Sequence, residues 1–184
     1  MEYDVFVLEI ISSGPGGYPE DEVVDIGICG IRFEDSRIDS IYSATVRCDT
    51  SEWDDTKKNR LISCGISIQE IMHGIPVEDV CARVKDILNN RAVASFDVRN
   101  VFSGYMVNDP WDLTKEVSIM PSVSSRLPAS MGCRIPSDEN VCIRNAYNRV
   151  FDDDPMNIKA GENALDHALM TSAILLRLRK TGRY

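Results

Sequence analysis

The sequence predicts a domain of the α/β class, or its α+β variant, built on a mixed β-sheet flanked by helices. Three observations carry that expectation. An apolar run opens the chain, two more strand-like runs follow it across short turns, and helical stretches then bracket one further short apolar strand. Strands joined in succession by short turns make an antiparallel meander, and a strand reached only through helices joins such a sheet as a parallel member.

The first strand is the run Val5 to Ile11, closed by Ser12, Ser13, Gly14, Pro15, Gly16 and Gly17, which is turn chemistry. Side chains of a strand alternate, so Phe6, Leu8 and Ile10 take one face while Val7, Glu9 and Ile11 take the other. A carboxylate in a core strand is expensive without a partner or a metal, which makes Glu9 the first residue to explain. Asp21 to Phe33 and Ile41 to Cys48, rich in β-branched residues, read as the next two strands, and Asp49 to Arg60 reads as a polar connection. Ser67-Ile68-Gln69-Glu70 fits a capping box for a short helix that runs to about His73 and stops at Gly74. Pro76 opens the amphipathic helix 77–89, with Val77, Val80, Cys81, Val84, Ile87 and Leu88 on one side. Ala92 to Phe96 reads as a buried strand, with Asp97 where it finishes. Pro110 to Pro136, with four prolines and scattered serines, reads as an irregular insertion spanning about 109–137. Asp138 to Val150 and Glu162 to Lys180 return to helix, the latter with Ala164, Leu165, Ala168, Leu169, Ser172, Leu175 and Leu176 on one stripe.

At 184 residues the chain has a single-domain length, and its formal net charge of -9 argues against a protein that coats nucleic acid through a uniformly positive face. A local basic strip stays open; Arg177, Arg179, Lys180 and Arg183 either touch a phosphate backbone or form a solvated tail that complements the helix dipole. The six cysteines are far apart without a Cys-x-x-Cys pair, so they read as reduced, mostly buried thiols. With no basic-then-apolar leader and no membrane-length apolar run, a cytoplasmic protein with no membrane partner is expected.

Five pieces in order resemble the DEDD family (DEDDh type) of 3′-5′ exonucleases, the proofreading and ribonuclease T-like proteins of the ribonuclease H-like fold. Glu9-Ile10-Ile11-Ser12-Ser13-Gly14 stands in the slot of the family's Asp-x-Glu-Thr-Thr-Gly, and Glu22-Val23-Val24-Asp25-Ile26-Gly27 is similar to its Glu-Ile-Ile-Glu-Ile-Gly. Gly65-Ile66-Ser67, Pro76 and the amphipathic helix are similar to the segment before the second motif. Ser95-Phe96-Asp97 matches the end of Asn-x-x-Phe-Asp, with Val93 in place of its Asn. The third motif, His-x-Ala-x-x-Asp-Ala, falls on Glu162 to Ala168. The resemblance covers residues 3 to 179 and implies a ribonuclease H-like sheet of three antiparallel strands plus a parallel one.

It also implies a site whose chemistry is altered. In the family, four carboxylates hold two divalent metals and a His deprotonates water, because two ions about 4 Å apart bring four positive charges that clustered carboxylates offset. Here Glu9 replaces the first Asp, Ile11 the companion Glu, His167 the third-motif Asp and Glu162 the His, while Asp97 is kept. Sliding either motif to a neighbouring register restores no full set. The family-equivalent catalytic positions are therefore Glu9, Asp97, Glu162 and His167, with Glu9, Asp97 and His167 as candidate metal ligands.

Plainer accounts stand beside these. Glu9 either binds metal or pairs with His167 or another core group; Asp97 either binds metal or caps a helix beginning near Val98. Glu162 caps the last helix and Asp166, four residues on, is solvated. His73 is a C-terminal cap, and the Gly-Pro-Gly-Gly run is a turn, not a phosphate cradle. Three functions follow as expectations: a catalytically impaired exonuclease homologue acting in single-stranded nucleic-acid or protein binding; an active metal-dependent 3′-5′ exonuclease with a rebuilt site; or a protein-interaction module without nucleic acid. The cofactor is either none or a single divalent ion, magnesium or manganese, although a carboxylate-and-imidazole set suits manganese, iron or zinc better than magnesium.

Overall fold

The computed structural model describes residues 2–127, 139–151 and 163–184. Five strands form one sheet in the order β3-β2-β1-β4-β5. β1 (Val5–Ser12) lies at its centre, antiparallel to β2 (Val23–Arg32) and parallel to β4 (Arg91–Ala94). β3 (Arg37–Thr45) pairs antiparallel with β2, and β5 (Val117–Ile119) pairs parallel with β4. This is the mixed sheet that the sequence predicts, with three antiparallel strands and then parallel ones, flanked by helices.

Both sheet faces are covered, which is why β1 reads as an apolar run interrupted only by Glu9 before its closing Ser12, instead of alternating with polar residues. Leu8, Ile10, Ile26 and Ile28 pack with Leu61 of α1 (Asp55–Ser63), Ile71 of α2 (Ile68–Met72), and Val80, Val84 and Leu88 of α3 (Val77–Leu88). Val5, Val7, Cys29 and Ile31 pack with Ile143, Ala146 and Tyr147 of α4 (Glu139–Val150) and with Ala168, Ile174, Leu175 and Leu178 of α5 (Ala164–Lys180). No helix among the described residues is long and apolar enough to cross a membrane.

Several elements differ from expectation for identifiable reasons. α1 lies inside the stretch read as a polar connection, because Leu61 is its only buried side chain and so small an apolar contribution leaves no periodicity. β5 lies inside the region read as an irregular insertion; three residues are too few for a strand pattern. A π-helix, Arg99–Met106, runs directly on from Asp97 and buries Val101, Phe102, Tyr105 and Met106. α5 is buried around more of its girth than the single stripe allows, with His167, Met170, Thr171 and Ile174 also inside, because it lies between the sheet and α4. Cys29, Cys48, Cys64 and Cys81 are free and buried; Cys133 lies outside the described residues.

The expected capping box is present: the Ser67 hydroxyl accepts from the Glu70 amide at 3.1 Å, and the Glu70 carboxylate accepts from the Ser67 amide at 2.8 Å. Ser67→Ala is expected to lower stability by about 1 kcal/mol. At this chain length that is about 2–4 °C in a thermal melt, and an unchanged melting temperature would show α2 to be held by packing alone.

Candidate functional site

The carboxyl ends of β1 and β4 lie side by side because those strands are parallel, with Phe6 opposite Val93 and Val7 opposite Ala94. The residues just beyond β4 therefore reach the level of Glu9. The Phe96 amide donates to Glu9 Oε1 at 2.6 Å. Glu9 is only 1% exposed. Burial pushes its carboxyl up to about 8; the Phe96 amide and the Thr171 hydroxyl pull the other way, and the negative charge of Asp97 raises it further. Thr171 Oγ1 is itself buried, beside Glu9. Burial thus favours the protonated form of Glu9 at pH 7 against the opposing pull of the backbone donor.

Asp97 sits beside this pocket, half-buried. Its Oδ1 accepts from the amides of Arg99 at 3.0 Å and Asn100 at 3.4 Å, which caps the π-helix and matches the capping account of this residue. Ile11 is buried at 1% exposure in the apolar core, so the position of the companion Glu is dry hydrocarbon. His167 is buried in the first turns of α5. Glu162 lies outside the described residues. Asn163, not Glu162, supplies the cap of α5, accepting from the Asp166 amide at 2.9 Å. Asp166 is partly buried, not fully solvated, and burial raises its carboxyl above the ordinary range.

The structure thus brings Glu9 and Asp97 into electrostatic contact and places Thr171 with them. Among the described residues, no three His, Cys, Asp or Glu side chains form a group that could hold a metal ion. These residues do not fit a pair of divalent ions: one carboxyl is sealed and favours its proton, and another caps backbone amides.

The turn after β1 closes on its own carboxylate. Asp21 accepts from the Gly16 amide at 2.6 Å and the Ser13 hydroxyl at 3.2 Å, and pairs with Lys57 of α1 at 2.7 Å. Burial pushes the Asp21 carboxyl up, but the Lys57 ammonium and the Gly16 amide outweigh it and hold it below the usual range. Arg60 donates to the Ser12 carbonyl, and Tyr105 of the π-helix donates to the Gly14 carbonyl at 2.9 Å. The glycine-rich run is therefore a turn, as its sequence suggested, and it folds about an internal anion.

Sequence reasoning gave no role to Asp25 or Thr171. Asp25 was visible only as one letter of a strand motif. In the structure its carboxylate accepts from the Ala164 amide, the first of α5, at 2.8 Å.

No protein-family model matches the chain, and a search of curated proteins found no match. Solved structures do resemble it. A 3′-exonuclease seen in 3′-end-specific recognition of a histone mRNA stem-loop aligns over 99% of this chain and 84% of its own, at 13% identity and a TM-score of 0.68. The RNase domain of the yeast Pop2 protein aligns over 98% of this chain and 78% of its own, at 10% identity and a TM-score of 0.67. The nuclease domain of 3′hExo, a DEDDh family member bound to rAMP, aligns over 98% of this chain and 94% of its own, at 13% identity and a TM-score of 0.64. With its sheet order and the helices on both faces, the chain has the ribonuclease H-like fold of these exonuclease domains.

Proposed function

We propose that this domain is a catalytically impaired homologue of the 3′-5′ exonucleases whose groove binds single-stranded nucleic acid. The observation that carries the reading is the state of Glu9: a carboxyl sealed from solvent, held by the Phe96 amide and shifted toward its neutral form, next to a position filled by Ile11. Two-metal hydrolysis needs exposed, ionised carboxylates that neutralise both cations, and removal of one charge-stabilising group from such a site typically costs about 10²–10³ in rate. Nucleic-acid binding is favoured because the neighbouring folds are seen with an RNA stem-loop and with rAMP.

The test uses 5′-labelled single-stranded RNA and DNA with magnesium or manganese. No shortening from the 3′ end is expected, and Asp97→Ala is expected to behave as the parent does. Binding at low salt should weaken as a power of salt concentration, since phosphate contacts release counterions. Manganese-dependent shortening that disappears in Asp97→Ala would instead support the rebuilt enzyme site. No binding at low salt would leave a protein-interaction module.

A further inference from the structure

α5 runs alongside β2. The Leu165 amide comes up to Gly27, Ser172 lies against Cys29, and Arg179 stacks on the Phe33 ring at 3.9 Å. At the head of this row Asp25 is 3% exposed and joins three elements: Oδ2 accepts from the Ala164 amide of α5 at 2.8 Å, and Oδ1 accepts from the Thr45 hydroxyl at the end of β3 at 3.2 Å. The amides of a helix's first turn have no partner within the helix and carry its positive dipole end, so a carboxylate there fixes both the direction and the height of the helix. From that seat the helix repeat puts residue 167 one turn on and residue 171 two turns on, on the face that meets the sheet. Thr171 is the hydroxyl beside Glu9.

We propose that Asp25 is the positioning residue of the candidate site: by seating the first amide of α5 on β2, it sets where His167 and Thr171 lie relative to Glu9. The assignment rests on the reading of this groove as the functional site, but not on whether the groove retains nuclease activity. Two features make Asp25 more than a generic helix cap. Asn163 already supplies the local cap of α5 through the Asp166 amide, so Asp25 is a second anchor, from a different element, on the amide two residues earlier. Gly27, two residues along the same strand face, is the gap that allows the helix to descend onto that anchor.

The chain has two histidines, so imidazole resonances give a direct reading. His73, whose Nδ1 is hydrogen-bonded to the Gln69 carbonyl on α2, serves as the internal reference. In Asp25→Ala the His167 resonance is expected to shift and broaden, and amide exchange at 164–168 to speed up at least about tenfold, while His73 stays in place. Asp25→Asn keeps an oxygen acceptor for the Ala164 amide and is expected to restore the parent spectrum. An unmoved His167 in Asp25→Ala, or His167 and His73 moving together with uniformly faster exchange, would overturn the proposal. If Asp25→Ala fails to fold, Asp25→Glu gives the reading: its longer arm displaces His167 if Asp25 positions α5, and leaves it unmoved if not. Shortening of labelled strands in the nuclease assay would overturn the impaired reading and leave this one intact.

Discussion

Glu9→Gln is expected to raise the urea midpoint of unfolding strongly at pH 8 and hardly at all at pH 5. In the unfolded chain the Glu9 carboxyl titrates near its model value of 4.5, while in the native protein burial moves it to about 8. Between those values the native state holds a proton that the unfolded state has released, so stability falls as pH rises. The native advantage is complete below pH 4.5 and is lost as pH climbs through 8. Three and more pH units at about 1.4 kcal/mol each put the loss on the order of 4 kcal/mol, a large part of the 5–15 kcal/mol typical of a domain. Gln copies the protonated acid: its carbonyl can accept from the Phe96 amide and its NH₂ can face Thr171 Oγ1. Asp25 adds a smaller slope of the same sign, since burial raises it from 3.8 to about 6. The Glu9→Gln variant should therefore still lose stability up to about pH 6 and then level off. A parent protein whose stability rises between pH 5 and 8, or a Glu9→Gln midpoint that tracks the parent throughout, would show that Glu9 is ionised in the fold. Saturating manganese should leave the parent curve in place, because a ligand role would favour the carboxylate and reverse the slope.

What the sequence revealed about this site follows from the range of each interaction. Glu9 was conspicuous because a single charge interrupts an apolar strand, and the end of β1 was fixed by Ser12 to Gly17. The partner of Glu9 could not be read, since it is the backbone amide of Phe96 and every residue but proline offers one. Asp97 as a cap was legible because the amides that donate to it lie two and three residues away. Asp25 was not, because its partner is 139 residues away and is again a main-chain amide. The fold shows the same division. β1 and β2 announce themselves as long apolar runs and α3 through its helical periodicity, whereas α1 buries only Leu61 and turns a nearly all-polar surface outward. The resemblance to exonucleases came through because the motif pieces keep their order along the chain, even where the acids within them have changed.

The seating of α5 on β2 predicts a second large effect, at Gly27. A Cβ at this position would lie 2.3 Å from the Leu165 nitrogen and 2.4 Å from the Ala164 carbonyl carbon and oxygen. These are main-chain atoms of a helix whose buried face packs against one side of the sheet, so no side-chain rotation relieves the contact and the whole first turn must lift. Lifting it stretches the hydrogen bond between Asp25 and the Ala164 amide, leaving a buried carboxylate short of a donor, and opens the packing of Ala164 and Ala168. Overpacking alone commonly costs about 1–3 kcal/mol, and with the lost anchor Gly27→Ala is expected to exceed about 3 kcal/mol, with Gly27→Val preventing folding. Gly17 supplies the contrast. Its φ of +78° penalises a side chain, but the nearest atom to its Cβ is the Gly104 carbonyl oxygen at 3.5 Å, so Gly17→Ala should cost only about 1–2 kcal/mol. Urea unfolding of both variants at one pH measures the difference. A Gly27→Ala midpoint equal to that of Gly17→Ala would mean that α5 does not rest on β2 at this height, and the geometry that brings Thr171 to Glu9 would fall with it.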